Sequence, residues 1–463
     1  MSIRAKLLLI KDAIIGGHQD YTALSIRRAL LLLAIPMILE MVLEAVFAIV
    51  DVYFVSRLGT DEVAAVGFTE SIVMLVYSIA IGIAMATSAM VARRVGEKDT
   101  EGAALAAAQA LYIGIGVSFA ISLVGIFFSP ELLGLMGASE SVVAVGTPYM
   151  RWLLGGNLVI MLLFLINAIF RGAGDAQISL RVLTLANGLN IILDPLLIFG
   201  IGPFPELGLE GAAIATTTGR GIGVLLQLYL LFGGKSVVKV SLKHMKVQWN
   251  IIRKLLDVSI GGTGQFLIST ASWIFLMRIM SEFGTDAVAG YILAIRIIIF
   301  TILPAWGLSS AAATMVGQNL GAKSPERAEQ AVWKAGKYNV IFLGLISIVF
   351  YFFPEPIVRI FPVEDTIVEY AVLCLQIICF GYMAFAYGMV IGQAFNGAGD
   401  TRTPSVVNFV AFWLVQIPLA YSLAITLDYG PAGVFVAIAI SQSLLAVINI
   451  MIFRRGKWKE TAI

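Results

Sequence analysis

The sequence predicts an all-α integral membrane protein, with twelve transmembrane helices in two six-helix bundles related by a pseudo-two-fold axis along the membrane normal. Three observations carry this. Hydrophobic residues make up 59% of the chain and charged residues 13%, against roughly 25% charge in a soluble domain. The apolar residues gather into twelve runs of about the 20 residues that a spanning helix needs, without the period-two alternation of a membrane barrel. Finally, the second half of the chain repeats the first at a constant displacement.

In order, the runs are 28–57, 64–92, 104–128, 143–170, 179–201 and 208–233, then 253–282, 287–317, 334–353, 366–395, 404–427 and 431–455. They define a cytoplasmic N-terminal segment (1–27), an N-lobe (28–233), a linker (234–252), a C-lobe (253–455) and a cytoplasmic tail (456–463). The opening stretch, "MSIRAKLLLIKDAIIGGHQD", has too short an apolar run and no small-residue site for a cleavable signal. Orientation follows from Lys and Arg. One set of loops holds Arg4, Lys6, Arg27, Arg28, Arg93, Arg94, Arg171, Arg181 and the linker lysines Lys235, Lys239, Lys243 and Lys246; the other set holds only Arg57, Arg151 and Arg359. Both termini are therefore expected in the cytoplasm. The linker's basic residues alternate with Val and Leu, a pattern suited to a membrane surface.

Several classes are disfavoured. Cys374 and Cys379 lie five apart in one span, wrong for a disulfide and weak for a metal site. His18 and His244 both fall outside the spans, so a histidine metal centre, a resident cofactor and an intramembrane enzyme site are not expected. No basic block is interleaved with aromatics, which argues against nucleic acid.

Three stretches recur at the same distance. "LGTDEVAAVG" (58–67) returns as "FGTDAVAGYI" (283–292), "AMVARRVGEKD" (89–99) as "TMVGQNLGAKS" (314–324), and "FRGAGDAQIS" (170–179) as "FNGAGDTRTP" (395–404), each displaced by 225 residues. The glycines permit tight turns, and Asp175 and Asp400 are expected to cap the helices that follow.

Chemistry is sought where the repeats differ. Asp51 corresponds to Leu276; near the fifth run the prolines align 223 apart, so Asp194 corresponds to Ile417 and Asn190 to Trp413. The ionisable residues thus sit in one lobe. Glu40, Glu44 and Asp51 are spaced i, i+4 and i+11, within about 40° of one helix face, and Pro36 one turn earlier can bend that helix. Asn190 and Asp194 are i, i+4 neighbours. A charge at mid-bilayer costs about 2.5–3.5 kcal/mol on insertion scales, so these groups need partners or water. Two acids on facing helices can share a proton or bind Na⁺ through Asp51, Asn190 and Asp194; the same residues also fit a neutral hydrogen-bonded pair that fixes helix packing. Asn167 and the threonines Thr216, Thr217 and Thr218 are weaker candidates. Glu70 lies near a membrane surface, Arg278 is placed to snorkel, and Arg220 and Arg296 are expected to need partners.

Two six-helix halves carrying "VDVYFVSRLGTDEVAA", "INAIFRGAGD" and "NIILDPLLIFGIGPFPELGLEGAAIAT" resemble the multidrug and toxic compound extrusion (MATE) family over about residues 28–455, and most of all its archaeal and DNA-damage-inducible branch. The resemblance implies export of cationic and amphiphilic compounds, as an antiporter using H⁺ or Na⁺, with the coupling site in the N-lobe. Carried over by motif, that site would comprise Asp51, Asn190, Asp194, Asn167 and Thr216, with Pro36 in the kinked first helix and Tyr149 facing the same lobe. Glu40 and Glu44 are assigned to the cavity; Glu44 stands where a neutral amide is expected. The cores of the seventh and tenth spans hold no carboxylate, so a second site in the other lobe is not expected. The implied protein is a monomer of the plasma membrane working by alternating access, with drugs and lipids as partners. The alternative is a lipid-linked oligosaccharide or lipid flippase of the same superfamily.

Overall fold

The computed structural model describes residues 3–17, 19–234 and 236–463. His18 and Lys235 lie outside the described residues, as do the side chains of Arg4 and Lys6. Without water to solvate it, a backbone in hydrocarbon must satisfy its own N–H and C=O groups, which a helix does. Among the described residues there are helices and no strands. In order they are α1 (Ile3–Ile15), α2 (Ile26–Val55), α3 (Thr60–Gly96), α4 (Thr100–Leu135), α5 (Glu140–Gly155), α6 (Asn157–Ala173), α7 (Ala176–Ile198), α8 (Gly208–Phe232), α9 (Trp249–Met280), α10 (Thr285–Gly321), α11 (Pro325–Phe352), α12 (Pro354–Val358), α13 (Asp365–Ile378), α14 (Tyr382–Ala398), α15 (Arg402–Asn408), α16 (Ile417–Tyr421) and α17 (Pro431–Arg454).

Eleven stretches among the described residues are long and apolar enough to cross a membrane. The sixth run, α8, falls short in apolarity because three threonines and Arg220 occupy its middle. Two spans expected to be continuous are pairs of helices: the fourth breaks at Gly155–Gly156 and the tenth at Cys379–Gly381, the same point of each repeat. The eleventh holds two π-helical stretches, Phe409–Gln416 and Ser422–Thr426. They flank α16, where Pro418 removes a backbone donor. α4 runs past its expected end with a kink at Phe128, two residues before Pro130. Two further elements were not foreseen. α1 forms in the N-terminal segment, its last carbonyls bound by Arg181. In the tail, Trp458 is buried and stacks on Phe453.

The chain divides into two compact units. The first takes Leu39–Thr263 with the N-terminal segment to Asp20; the second takes Gly264–Ile463 with Tyr21–Ile38. The change of unit falls within α2, between Ile38 and Leu39, and within α9, between Thr263 and Gly264. These two points are themselves 225 residues apart. A glycine packs against the helix just before each change of unit. In the second unit, a Cβ on Gly307 of α10 would sit 2.6 Å from the Met37 carbonyl oxygen and 2.8 Å from the Ile38 nitrogen of α2. In the first, a Cβ on Gly82 of α3 would sit 2.5 Å from the Thr263 nitrogen and 2.7 Å from the Ser259 oxygen of α9. Only hydrogen in place of a side chain lets helix backbones come this close.

The repeated "GAGD" motif resolves the same way. A Cβ on its first glycine, Gly172 or Gly397, would run into the carbonyl of Ser88 or Ala313. Its second, Gly174 or Gly399, ends α6 or α14 in the left-handed region, at φ 90 and 88. Its aspartates behave differently. Asp400 caps α15, accepting from Thr403 N at 3.1 Å and Thr403 Oγ1 at 2.6 Å. Asp175 makes no cap on α7, contrary to expectation. It accepts from Ser236 Oγ at 2.7 Å and Val237 N at 2.8 Å, holding the linker that follows the first repeat. Gln109 and Glu101 of α4 hold the rest of that linker, through Lys246 O, Gln248 N, Lys243 and His244.

Gly307→Val and Gly82→Val should each lower the unfolding midpoint of purified protein in detergent, by the equivalent of about 1–3 kcal/mol of overpacking. Gly116→Ala, where a Cβ would meet nothing within 4 Å, should leave the midpoint unchanged or raise it. A wild-type midpoint for Gly307→Val would mean that the α2 and α10 backbones are not in contact.

Candidate functional site

The polar cluster of the first unit is built on α2, α3, α7 and α8. α7 and α8 lie along one another, brought close by Gly219, whose Cβ would sit 2.8 Å from the Ala186 oxygen and 3.1 Å from the Asn190 nitrogen. One turn before that glycine, Thr216 meets Asn190. In the orientation that satisfies both ends of the amide, Asn190 donates to Asp194 Oδ2 at 2.9 Å and accepts from Thr216 Oγ1 and Thr216 N at 3.0 Å. Asp194 and Asn190 are both buried, Asp194 at 0% exposure. Thr217 faces Gly156 at the α5–α6 break, and Thr218 is exposed, so of the three threonines Thr216 joins the amide.

Asp51 is half-buried on α2. It shares no hydrogen bond with the trio, but its charge acts on Asp194, and the charges of Glu70 and Arg220 act on Asp51. Tyr149 is buried against Val55, Ala65 and Ile198, within the field of both aspartates. Glu70 itself is exposed.

The other acids of α2 are each matched. Glu40, at 2% exposure, pairs with Arg171 at 2.8 Å. Glu40, assigned to the cavity from the sequence, and Arg171, assigned to a cytoplasmic loop, neutralise one another at the end of α6. Glu44 accepts from Asn187 Nδ2 at 3.3 Å and lies 3.8 Å from Arg220. Arg220 is buried, donates to the Tyr77 hydroxyl at 3.1 Å, and stacks over Phe47 at 5.2 Å.

Two expected members stand apart. Asn167 accepts from Gln227 at 2.7 Å instead of meeting the acids. Pro36 precedes the crossing in α2 and belongs to the second unit, and α2 stays helical through it. Arg296, expected to need a partner, is exposed on α10; Arg278 is exposed and pairs with Glu282 at 3.1 Å. Asn187, Tyr77 and Gln227 were not singled out from the sequence, and Arg171 entered it only as a loop cation. Helical period could have found two of them: Asn187 extends the Asn190–Asp194 stripe by i−3, and Gln227 follows Arg220 by seven. In the second unit the corresponding positions are apolar or bonded to backbone. Leu276 is fully buried, and the Trp413 indole donates to the Ile268 carbonyl at 3.0 Å. Among the described residues no three His, Cys, Asp or Glu side chains group as a metal site.

Duplicated spanning helices, with carboxylates, amides and an arginine buried in one repeat, define a polytopic membrane transporter. The MatE family model matches residues 36–196 and 263–422, and the chain belongs to that family. It is similar to the FAD transporter of Shewanella oneidensis, 29% identical over 425 residues covering 91% of this chain and 93% of that protein. It is also similar to the probable multidrug resistance protein NorM of Thermotoga maritima, 25% identical over 446 residues covering 95% and 94%. A crystal structure of a MATE protein in the straight conformation superposes with a TM-score of 0.90 at 26% identity, covering 95% of this chain and 98% of that one.

Breaking a buried ion pair on one side costs about 3–5 kcal/mol, because the remaining charge is left uncompensated. Glu40→Gln should therefore lower the unfolding midpoint markedly, and Glu40→Gln with Arg171→Met should recover a large part of the loss. A double variant no more stable than Glu40→Gln would refute mutual neutralisation.

Proposed function

We propose that this chain is a secondary active antiporter that exports cationic and amphiphilic compounds in exchange for H⁺ or Na⁺ by alternating access, with coupling at Asp51 and Asp194. The observation that carries it is Asp194: fully buried, with a neutral amide as its hydrogen-bond partner and a second carboxylate within its field. A charge so placed is costly, and a proton or a monovalent cation removes the cost. Asp194 Oδ1, the Thr216 hydroxyl and the Asp51 carboxylate are oxygens of the kind a hard cation takes. Neutralising the pair releases the cationic cargo, and return of the charge restores the site, so ion and cargo use the same acids at different moments. The multidrug resistance name of the Thermotoga relative supports this cargo class. The Lys and Arg distribution supports cytoplasmic termini in the plasma membrane, and the protein works as a monomer.

Arg220 favours a second reading. A buried guanidinium in the same cluster, together with a relative named as an FAD transporter, fits an anionic nucleotide as cargo.

The test is transport into proteoliposomes of a fluorescent cationic dye and, separately, of FAD, driven by a proton gradient or by a Na⁺ gradient. Dye flux should follow one gradient and fall at least about tenfold in Asp51→Asn and Asp194→Asn. FAD flux without dye flux would favour the nucleotide. Wild-type dye flux in both variants would reduce the aspartates to packing residues.

A further inference from the structure

Arg220 is built unlike an ordinary structural arginine. It has five N–H donors and is 5% exposed, yet its Nε has no hydrogen-bond partner. Nη1 donates to the Tyr77 hydroxyl at 3.1 Å. Nη2 stands 3.8 Å from Glu44 Oε2, beyond hydrogen-bond reach. Its Cζ stands 5.2 Å over the ring of Phe47, which lies three residues after Glu44 and four before Asp51. The guanidinium is loosely paired with Glu44 and within the field of Asp51, two carboxylates roughly 10 Å apart along α2 with Phe47 between them. The remaining groups around it are neutral or distant partners: Asn187 holds Glu44, and Glu70 acts on Asp51 from α3.

We propose that Arg220 is shared between Glu44 and Asp51, and acts as a tethered rival of the transported cation. The inference rests on the coupling role given to Asp51 above. While Asp51 is bare it draws the guanidinium along the Phe47 face. When a cation reaches Asp51 that pull vanishes, and Arg220 closes on Glu44 as a full ion pair. Glu44 is thus the resting place that lets Arg220 leave. The Phe47 ring gives the guanidinium a surface to move across without exposing it to hydrocarbon alone. Occupancy of Asp51 is in this way converted into a contact between α8 and α2.

The two partners should then have opposite effects, which a purely structural ion pair would not show. Tetraphenylphosphonium binding to the purified full chain in detergent should weaken about tenfold in Glu44→Gln, because Arg220 stays on Asp51, and tighten about tenfold in Arg220→Gln. The double variant should match Arg220→Gln, since Glu44 acts only through the arginine. Weakening in both single variants, or no change in Arg220→Gln, overturns the proposal. If Arg220→Gln does not fold, Arg220→Lys and Glu44→Gln decide. The lysine should bind like wild type, and Glu44→Gln at or above wild-type affinity overturns the proposal. Asp51→Asn separates the two levels of argument. Lost binding there leaves the coupling role standing whatever the cycle shows, and wild-type binding removes the coupling role itself.

Discussion

Charge carried into an apolar interior has to be met by opposite charge or by well-placed hydrogen bonds. In the first unit this requirement decides which faces of four helices turn inward. α2 brings Glu40, Glu44 and Asp51; α6 answers with Arg171, α7 with Asn187, and α8 with Arg220. Asp194 and Asp51 are left outside these ion pairs, with the Asn190 amide as the hydrogen-bond partner of Asp194. The candidate site is thus the part of the acid set that forms no ion pair with these arginines.

The second unit shows what the same scaffold does without that demand. Leu276 packs with Met280 and Tyr291 in its core, and Trp413 spends its one donor on a backbone carbonyl. The eleventh span carries Pro418 between two π-helical stretches, whereas α7 carries Pro195 within an α-helix. Divergence after duplication has acted on side chains and local winding, while the positive-φ residues Lys98 and Lys323 and the paired glycines still coincide at the 225-residue displacement.

Much of this was legible in the sequence. Helices in lipid announce themselves by long apolar runs, and the stops between them by glycine and lysine. The Asn190–Asp194 pair follows from a 3.6-residue period, and the repeat located it in one half. What could not be read was pairing at long range. Arg171 sits beside a glycine turn and looks like a loop cation; its partner Glu40 is 131 residues away. Asp175 looks like a helix cap because Asp400 is one, and only the fold reveals that the linker has claimed it. Breaks at Gly155 and Cys379 are invisible to hydropathy, which averages over them. The crossing of α2 and α9 between units leaves no local trace either, since Gly82 and Gly307 are two small residues among 45 glycines.

That crossing makes the two repeats depend on one another. Gly82 of the first repeat receives α9, the leading helix of the second; Gly307 of the second receives the start of α2, the leading helix of the first. Each half of the chain thus seats the leading helix of the other against its own glycine, so neither repeat supplies all of its own packing partners.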